Sequence, residues 1–432
     1  MSIEKKIQIV KYPGTDGKQL FQSILAVRQK RDSEVSTIAQ NIIDEVRHKG
    51  DEALFAFSKK FDKFNLTSSN LKISAKEINT QAGKIKPALK AAIDLSSERI
   101  TAYHEKQCRK GFALKTPEGT LRQMIRPLNR VGLYVPGGHT VYPSTVLMNV
   151  IPAQIAGVNE IVVITPPRDE LDPGIAYALK HLGISEVYRV GGAQGIAALA
   201  YGTATIKPVD KITGPGNSFV AAAKRLVYGI VDIDSVAGPS EVAILADSSV
   251  DPSWVAADLL AQAEHGTGDE VAICITEDKN FAESIAAQVT VAIENSPVKD
   301  TILRLPEHAL SIFVTPNRKK SLELVNTFAA EHLQIMTSTP EEDLQEVTNA
   351  AAIFLGPYSP VALGDYFIGT NHVLPTAGTA RFWSPLGVES FQKRISVAKV
   401  SAKGLDNAAP FVSTFARAEQ FIHHALSVEC RS

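Results

Sequence analysis

The chain has little that ties it to a membrane, to nucleic acid or to an oxidising compartment. In 432 residues there are three cysteines, Cys108, Cys274 and Cys430, and no CxxC pair. Odd in number and far apart, they make neither a disulfide frame nor a thiolate zinc site. A metal bound here must use imidazole, carboxylate or amide ligands. Cys274, inside the apolar run EVAICIT, is expected to be a buried thiol. Charge of one sign is also lacking. Lys and Arg number 45 against 46 Asp and Glu, which excludes a basic footprint for nucleic acid and a polybasic membrane patch. No apolar run approaches the ~18 residues that cross a bilayer. The opening MSIEKKIQIVKYP has no apolar signal core or cleavage site, so a cytoplasmic location is expected. There is no HExxH.

What is present is a globular composition, 44% hydrophobic and 21% charged. The length exceeds one ordinary core and predicts two to four domains. Residues 1–28 read as a short strand, IQIVKYP, and a polar stretch. Residues 29 to about 106 have apolar residues at helical spacing, with Gly50 as a stop. Near residue 127 strands and helices begin to alternate: LYVPGG, YPSTVLMNVIPAQIAG, EIVVITPP, IAYALKHLG, EVYRVGG. A second alternating block follows SVAGPSE. This spacing predicts an α/β protein with parallel sheets covered by helices. The expected partition is two Rossmann-like domains, the second inserted in the first: 29–133 with 241–384, and 134–240 between them. Small segments, 1–28 and 385–432, flank them. In the tail, TFARAEQFIHHALSV reads as one amphipathic helix suited to pack on a partner subunit.

Seven stretches carry chemistry. GLYVPGG, VGGAQG and TGPGN each follow a strand and precede a helix, a setting in which backbone N–H groups bind phosphates. None is a clean GxGxxG, and tight-turn glycine is the plainer reading of each alone. Gln262 and His265 lie three apart at the end of a helix capped by Asp251 and opened by Pro252, so they share a face. Glu331-His332 stands where a helical pattern gives way to strand-like LQIM, and a carboxylate beside an imidazole can move protons near neutral pH. GDYFIGTNH contributes Asp365, with Asn371 and His372 after it. In the tail, Glu419 precedes His423 and His424, and helical geometry favours His423 as its neighbour. Gln262, His265, Asp365 and one tail histidine would suit zinc, although spacing alone does not join them.

Together, GLYVPGG, VGGAQGIAALAYGT, DKITGPGN, AGPSE, LLAQAEHG, AAEHLQ, GDYFIGTNHVLPT and EQFIHHALS resemble the histidinol dehydrogenase family. The likeness runs from residue 132 to the tail and adds little over the first 127 residues. It implies a homodimer with its active site at the subunit interface, one zinc per subunit, and NAD. It implies oxidation of L-histidinol through L-histidinaldehyde to L-histidine, with two NAD reduced, as the last step of histidine biosynthesis. Matched by motif, the implied zinc ligands are Gln262, His265, Asp365 and His424, overriding the geometric preference for His423. The implied proton-transfer pair is Glu331 and His332. Implied substrate contacts are Ser240, Gln262, His265, His332, Asp365, Glu419 and His424; implied NAD contacts are Tyr134, Gln194 and Asn217.

Three features depart from the family pattern: His423 where a small residue usually precedes the tail histidine, the bulky Phe367-Ile368, and a short link between GPGN and AGPSE. No cysteine lies in a motif, so aldehyde oxidation is expected through a hydrated aldehyde rather than a thioester. A zinc hydrolase is the alternative enzyme, and it leaves three glycine turns unused. A nucleotide-binding module without catalysis leaves Glu331-His332 unused.

Overall fold

The computed structural model describes residues 6–29, 33–137, 141–236, 238–266 and 268–431. Of the motif residues, Gly138 and Ala237 lie outside these. The described strands, in chain order, are β1 (Gln8–Lys11), β2 (Phe112–Lys115), β3 (Gly119–Pro127), β4 (Arg130–Tyr134), β5 (Glu160–Thr165), β6 (Val187–Arg189), β7 (Lys211–Thr213), β8 (Asp232–Ile233), β9 (Glu241–Ala246), β10 (Val271–Thr276), β11 (Leu310–Val314), β12 (Ala330–Met336), β13 (Ala350–Leu355) and β14 (Gln392–Val400).

They form two parallel sheets, as the alternating pattern predicts, and a third that is antiparallel. The smaller parallel sheet has the order β6-β5-β4-β7-β8 and the larger β1-β11-β10-β9-β12-β13. Counted within each block, both run third-second-first-fourth-fifth, with β1 added at the outer edge of the larger. In each, the order reverses beside the block's first strand, between β4 and β7 and between β9 and β12. The third sheet, β14-β3-β2, joins the start of the tail to the end of the helical region, with Gln392 opposite Pro127 and Val400 opposite Gly119.

Burial explains why the central strands read as unbroken apolar runs. Every residue of β9 and β10 is buried, because helices cover both faces. Val242, Ile244 and Ala246 pack toward the Pro252–Ala263 and Lys279–Glu294 helices. Ala243 and Leu245 pack on the opposite face with Phe21, Ile24 and Val325. Asp251, Asp278 and Asp172 each cap the helix that follows, accepting from backbone N–H groups.

The packing departs from the expected partition at two points. The helices between residues 33 and 105 cover the five-stranded sheet, not the six-stranded one. Ile42, Ile43 and Val46 pack with Val162, Ile164 and Leu199 on one face; Ile93 and Ile100 pack with Leu133 and Val163 on the other. β4, cut from the inserted block at residue 133, is that sheet's central strand. Residues 6–28 are no separate segment either: β1 pairs with β11, and the Thr15–Gln29 helix supplies Phe21 and Ile24 to the larger core. Amphipathic spacing gives a helix an apolar face but does not say which sheet it covers.

The tail also differs. It forms two helices, Ala402–Ala418 and Ile422–Glu429, separated by Gln420 in the left-handed region (φ 65°).

Candidate active site

The Arg318–Phe328 helix ends on Ala329, whose φ of 50° turns the chain sharply into β12. Glu331 and His332 are therefore strand residues, side by side with the start of β9. The two strands trade hydrogen bonds through side chains here. The Glu331 carboxylate Oε2 accepts from the Glu241 N–H (2.8 Å), and the Glu241 Oε1 accepts from the Glu331 N–H (3.2 Å). His332 Nδ1 lies 3.2 Å from the Glu241 carbonyl oxygen. A carbonyl only accepts, so Nδ1 carries the proton and Nε2 keeps its lone pair. That Nε2 is buried, has no hydrogen-bond partner, and sits 4.0 Å from Asp365 Oδ1.

Burial sets the protonation of these groups. It pushes the His332 pKa down to about 3, with His265 and His372 adding repulsion. It holds the Glu331 carboxyl well above the usual carboxylate range; the backbone hydrogen bond at Glu241 opposes this, and the Glu241 and Asp365 carboxylates add to the rise. Asp365 is raised by burial to about 6, against the pull of His265. The site thus holds a neutral imidazole beside carboxyls suited to exchange protons near neutrality.

Asp365 arrives on the short Val361–Tyr366 helix. Gly364 lets it approach: a Cβ there would lie 2.5 Å from the Phe354 ring. Gln262 and His265 come from the last turn of the Pro252–Ala263 helix and just beyond it. His265 Nδ1 lies 3.1 Å from the Gln262 carbonyl, which leaves Nε2 as its ligating nitrogen. The buried Gln262 Nε2 has no partner, and a half-turn of the amide puts an oxygen in the same unsatisfied position. Two ligands at a helix carboxyl end also face its negative pole, which favours a cation. An amide, an imidazole and a carboxylate are donors of the kind that zinc takes.

Among the described residues no three His, Cys, Asp or Glu side chains are grouped to hold a metal, so His424 is not brought to His265 and Asp365. Glu419, His423 and His424 are exposed on the tail. Glu419 ends one helix and the histidines lie on the next, so the angular argument that favoured His423 does not apply.

Tyr134, Gln194 and Asn217 gather at the carboxyl edge of the five-stranded sheet, around the point where its strand order reverses, the usual ligand crevice of such sheets. Tyr134 ends β4, and its buried hydroxyl, raised by burial to about 12, accepts from the Gly192 N–H at 3.3 Å. Gln194 is buried in the first turn of the Gly192–Tyr201 helix. Asn217 caps the Ser218–Val227 helix through Oδ1. Gly214, with φ 110°, lets β7 close on β4: a Cβ would lie 2.1 Å from the Tyr134 carbonyl oxygen.

The corresponding carboxyl edge of the six-stranded sheet is filled. There Arg318 pairs with Asp247 (3.2 Å), Glu277 (3.2 Å) and Asp343 (2.5 Å). Glu331, His332 and Ser240 stand at its amino edge instead.

The match to known proteins is extensive. Residues 25–432 match the family model described as histidinol dehydrogenase. The chain belongs to the histidinol dehydrogenase family. It is 44% identical over 414 residues to the histidinol dehydrogenase of Streptococcus mutans, covering 96% of each chain. It is 45% identical over 397 residues to that of Bacillus subtilis, covering 91% of this chain and 92% of the relative. The crystal structure of histidinol dehydrogenase from Elizabethkingia anophelis superposes with a TM-score of 0.91 at 35% identity, over 98% and 97% of the two chains. An acetylating aldehyde dehydrogenase from Geobacillus thermoglucosidasius, 11% identical with a TM-score of 0.50 over 89% and 96%, shares the fold alone. As a histidinol dehydrogenase the protein is an oxidoreductase of histidine biosynthesis, EC 1.1.1.23, which sets aside the hydrolase and the non-catalytic readings. No described helix is long and apolar enough to cross a membrane.

Two residues of this neighbourhood were absent from the sequence-derived set, Glu241 and Arg28, which brace the start of β12. His372, noted after Asp365 in the sequence and lowered by burial to about 4, lies within electrostatic reach of His332. Glu241 left one trace: it is the acidic residue that opens an otherwise apolar strand.

Proposed function

We propose that the enzyme catalyses the NAD-dependent, four-electron oxidation of L-histidinol to L-histidine through L-histidinaldehyde, in the cytoplasm, as a homodimer with one zinc per subunit. The observation that carries this reading is the neutral His332, with Nδ1 tied to a carbonyl and 3.6 Å from Glu331 Oε2, and a buried, unpartnered Nε2 beside Asp365. His332 Nε2 accepts the alcohol proton as hydride leaves the substrate carbon. Glu331 then takes a proton from water as it adds to the aldehyde, and His332 is the base again in the second oxidation. Tyr134, Gln194 and Asn217 would hold NAD, which would supply the hydride acceptor. Gln262, His265, Asp365 and His424 of the partner subunit would hold zinc, which would supply a cationic site for orienting the substrate. Ser240 and Glu419 complete the substrate contacts. Exposed aromatic residues on the tail, Phe411 at 77% and Phe415 at 70%, support a subunit contact there.

The test follows NADH formation with L-histidinol before and after chelation. Activity is expected to vanish with chelator and return with zinc. Glu331→Gln is expected to lose at least 100-fold with histidinol, on the order expected of a lost general base, but far less in histidinaldehyde reduction by NADH, which needs no water activation. Equal losses in both directions contradict the role given to Glu331.

A further inference from the structure

A buried charged pair stands directly behind the proton-transfer residues and has no part in the roles above. Arg28, in the last turn of the Thr15–Gln29 helix, forks onto Glu241: Nε bonds Oε2 at 2.5 Å and Nη2 bonds Oε1. Both side chains are almost wholly buried. Arg28 Nη1 also donates to the Phe328 carbonyl (2.9 Å), and the guanidinium lies 3.9 Å from the Phe328 ring centre. Phe328 is the last helical residue before the turn that delivers Glu331 and His332. Arg28 therefore grips the catalytic dipeptide's approach directly and its neighbouring strand through Glu241.

Glu241 makes all three bonds that orient the dipeptide. Its N–H fixes one Glu331 oxygen, its carboxylate holds the Glu331 backbone, and its carbonyl fixes the His332 tautomer. A buried ion pair is weak evidence for stability, since apolar replacements often serve as well. The planar fork supplies what they lack, which is a fixed direction for the Glu241 side chain.

We propose that Arg28 and Glu241 are positioning residues for Glu331 and His332. Arg28 locks the Glu241 carboxylate, and Glu241 holds the catalytic carboxyl and imidazole in register with the substrate. This rests on the reading of Glu331-His332 as the proton-transfer pair.

The experiment compares Arg28→Met, Arg28→Lys, the double variant Arg28→Met with Glu241→Gln, and Glu331→Gln, all as full-length zinc-loaded enzyme. It reads kcat per bound zinc, KM for L-histidinol, and melting temperature. Arg28→Met is expected to lower kcat about 10- to 100-fold, as lost outer-shell partners do, with KM and zinc content unchanged. Arg28→Lys, which keeps the charge without the fork, is expected to remain well below wild type. The double variant is expected to recover part of kcat, because its amide oxygen still accepts from the Glu331 N–H and no unpaired charge is left. If Arg28→Met fails to fold, the other two variants decide. A kcat per loaded site within twofold of wild type in the Arg28 variants overturns the proposal, as does no recovery in the double variant. If Glu331→Gln abolishes turnover while the Arg28 variants stay within twofold of wild type, positioning alone fails. If Glu331→Gln keeps wild-type kcat, the proton-transfer reading fails with it.

Discussion

Two imidazoles of the site, His332 and His265, have their tautomers set by a backbone carbonyl oxygen, which accepts and never donates. In the proposed reading the opposite nitrogen, Nε2, serves proton transfer in His332 and metal binding in His265. Burial lowers His332 to about 3, which has a consequence for stability. Between that value and the unfolded value near 6.5, the unfolded chain binds a proton that the folded chain refuses. Stability is therefore present above about pH 6.5 and declines as pH falls through this window. In the metal-free enzyme His332 is expected to cost about 2 kcal/mol between pH 7 and pH 5. Urea unfolding at the two values checks this: the decline should be smaller by roughly that amount in His332→Asn, and an equal decline in both proteins refutes it. Glu331-His332 and the Gln262–His265 pair could be singled out in the sequence because adjacency and helical spacing are local, and Asp365 because it stands in a donor-rich loop. Arg28 and Glu241 were not, because they are 213 residues apart and their pairing exists only once the Thr15–Gln29 helix docks.

Among the elements, glycine turns decide how closely strands approach. Gly214 has φ 110° and no room for a Cβ against the Tyr134 backbone. Gly214→Ala is expected to cost about 1–3 kcal/mol in backbone strain and to part the ends of β4 and β7. NAD binding should weaken at least tenfold while zinc content holds, as measured by NAD titration and metal analysis; equal loss of both would mean general unfolding. Strand and helix alternation was readable from residue 127 onward because parallel strands are apolar throughout. The tail was misread as one helix because its apolar stripe continues across the break, where the backbone leaves the helix from Glu419 to Phe421. The helices between 33 and 105 were read as helices, but their partner sheet is a tertiary fact with no local signature.

At the scale of the whole molecule, His424 is not grouped with His265 and Asp365 among the described residues of one chain. If His424 comes from the partner subunit, a chain lacking His424 and a chain lacking Glu331 complement each other in a mixed dimer. One site then carries both defects and the other carries neither. Coexpressed His424→Asn and Glu331→Gln chains are expected to recover activity that neither homodimer shows; no recovery means the tail histidine acts within its own chain. Zinc retention in His423→Asn, and its loss in His424→Asn, would settle which tail histidine binds.

The two parallel sheets share one strand order yet work from opposite edges. The chain leaves the smaller sheet at its carboxyl edge, after β8, and enters the larger at its amino edge, at the start of β9. In the proposed reading the electron acceptor and the alcohol therefore meet residues of different sheets. For an engineer this makes the enzyme divisible. Loops after β4, β6 and β7 are the place to retune the electron acceptor, and the amino ends of β9 and β12 the place to retune the alcohol.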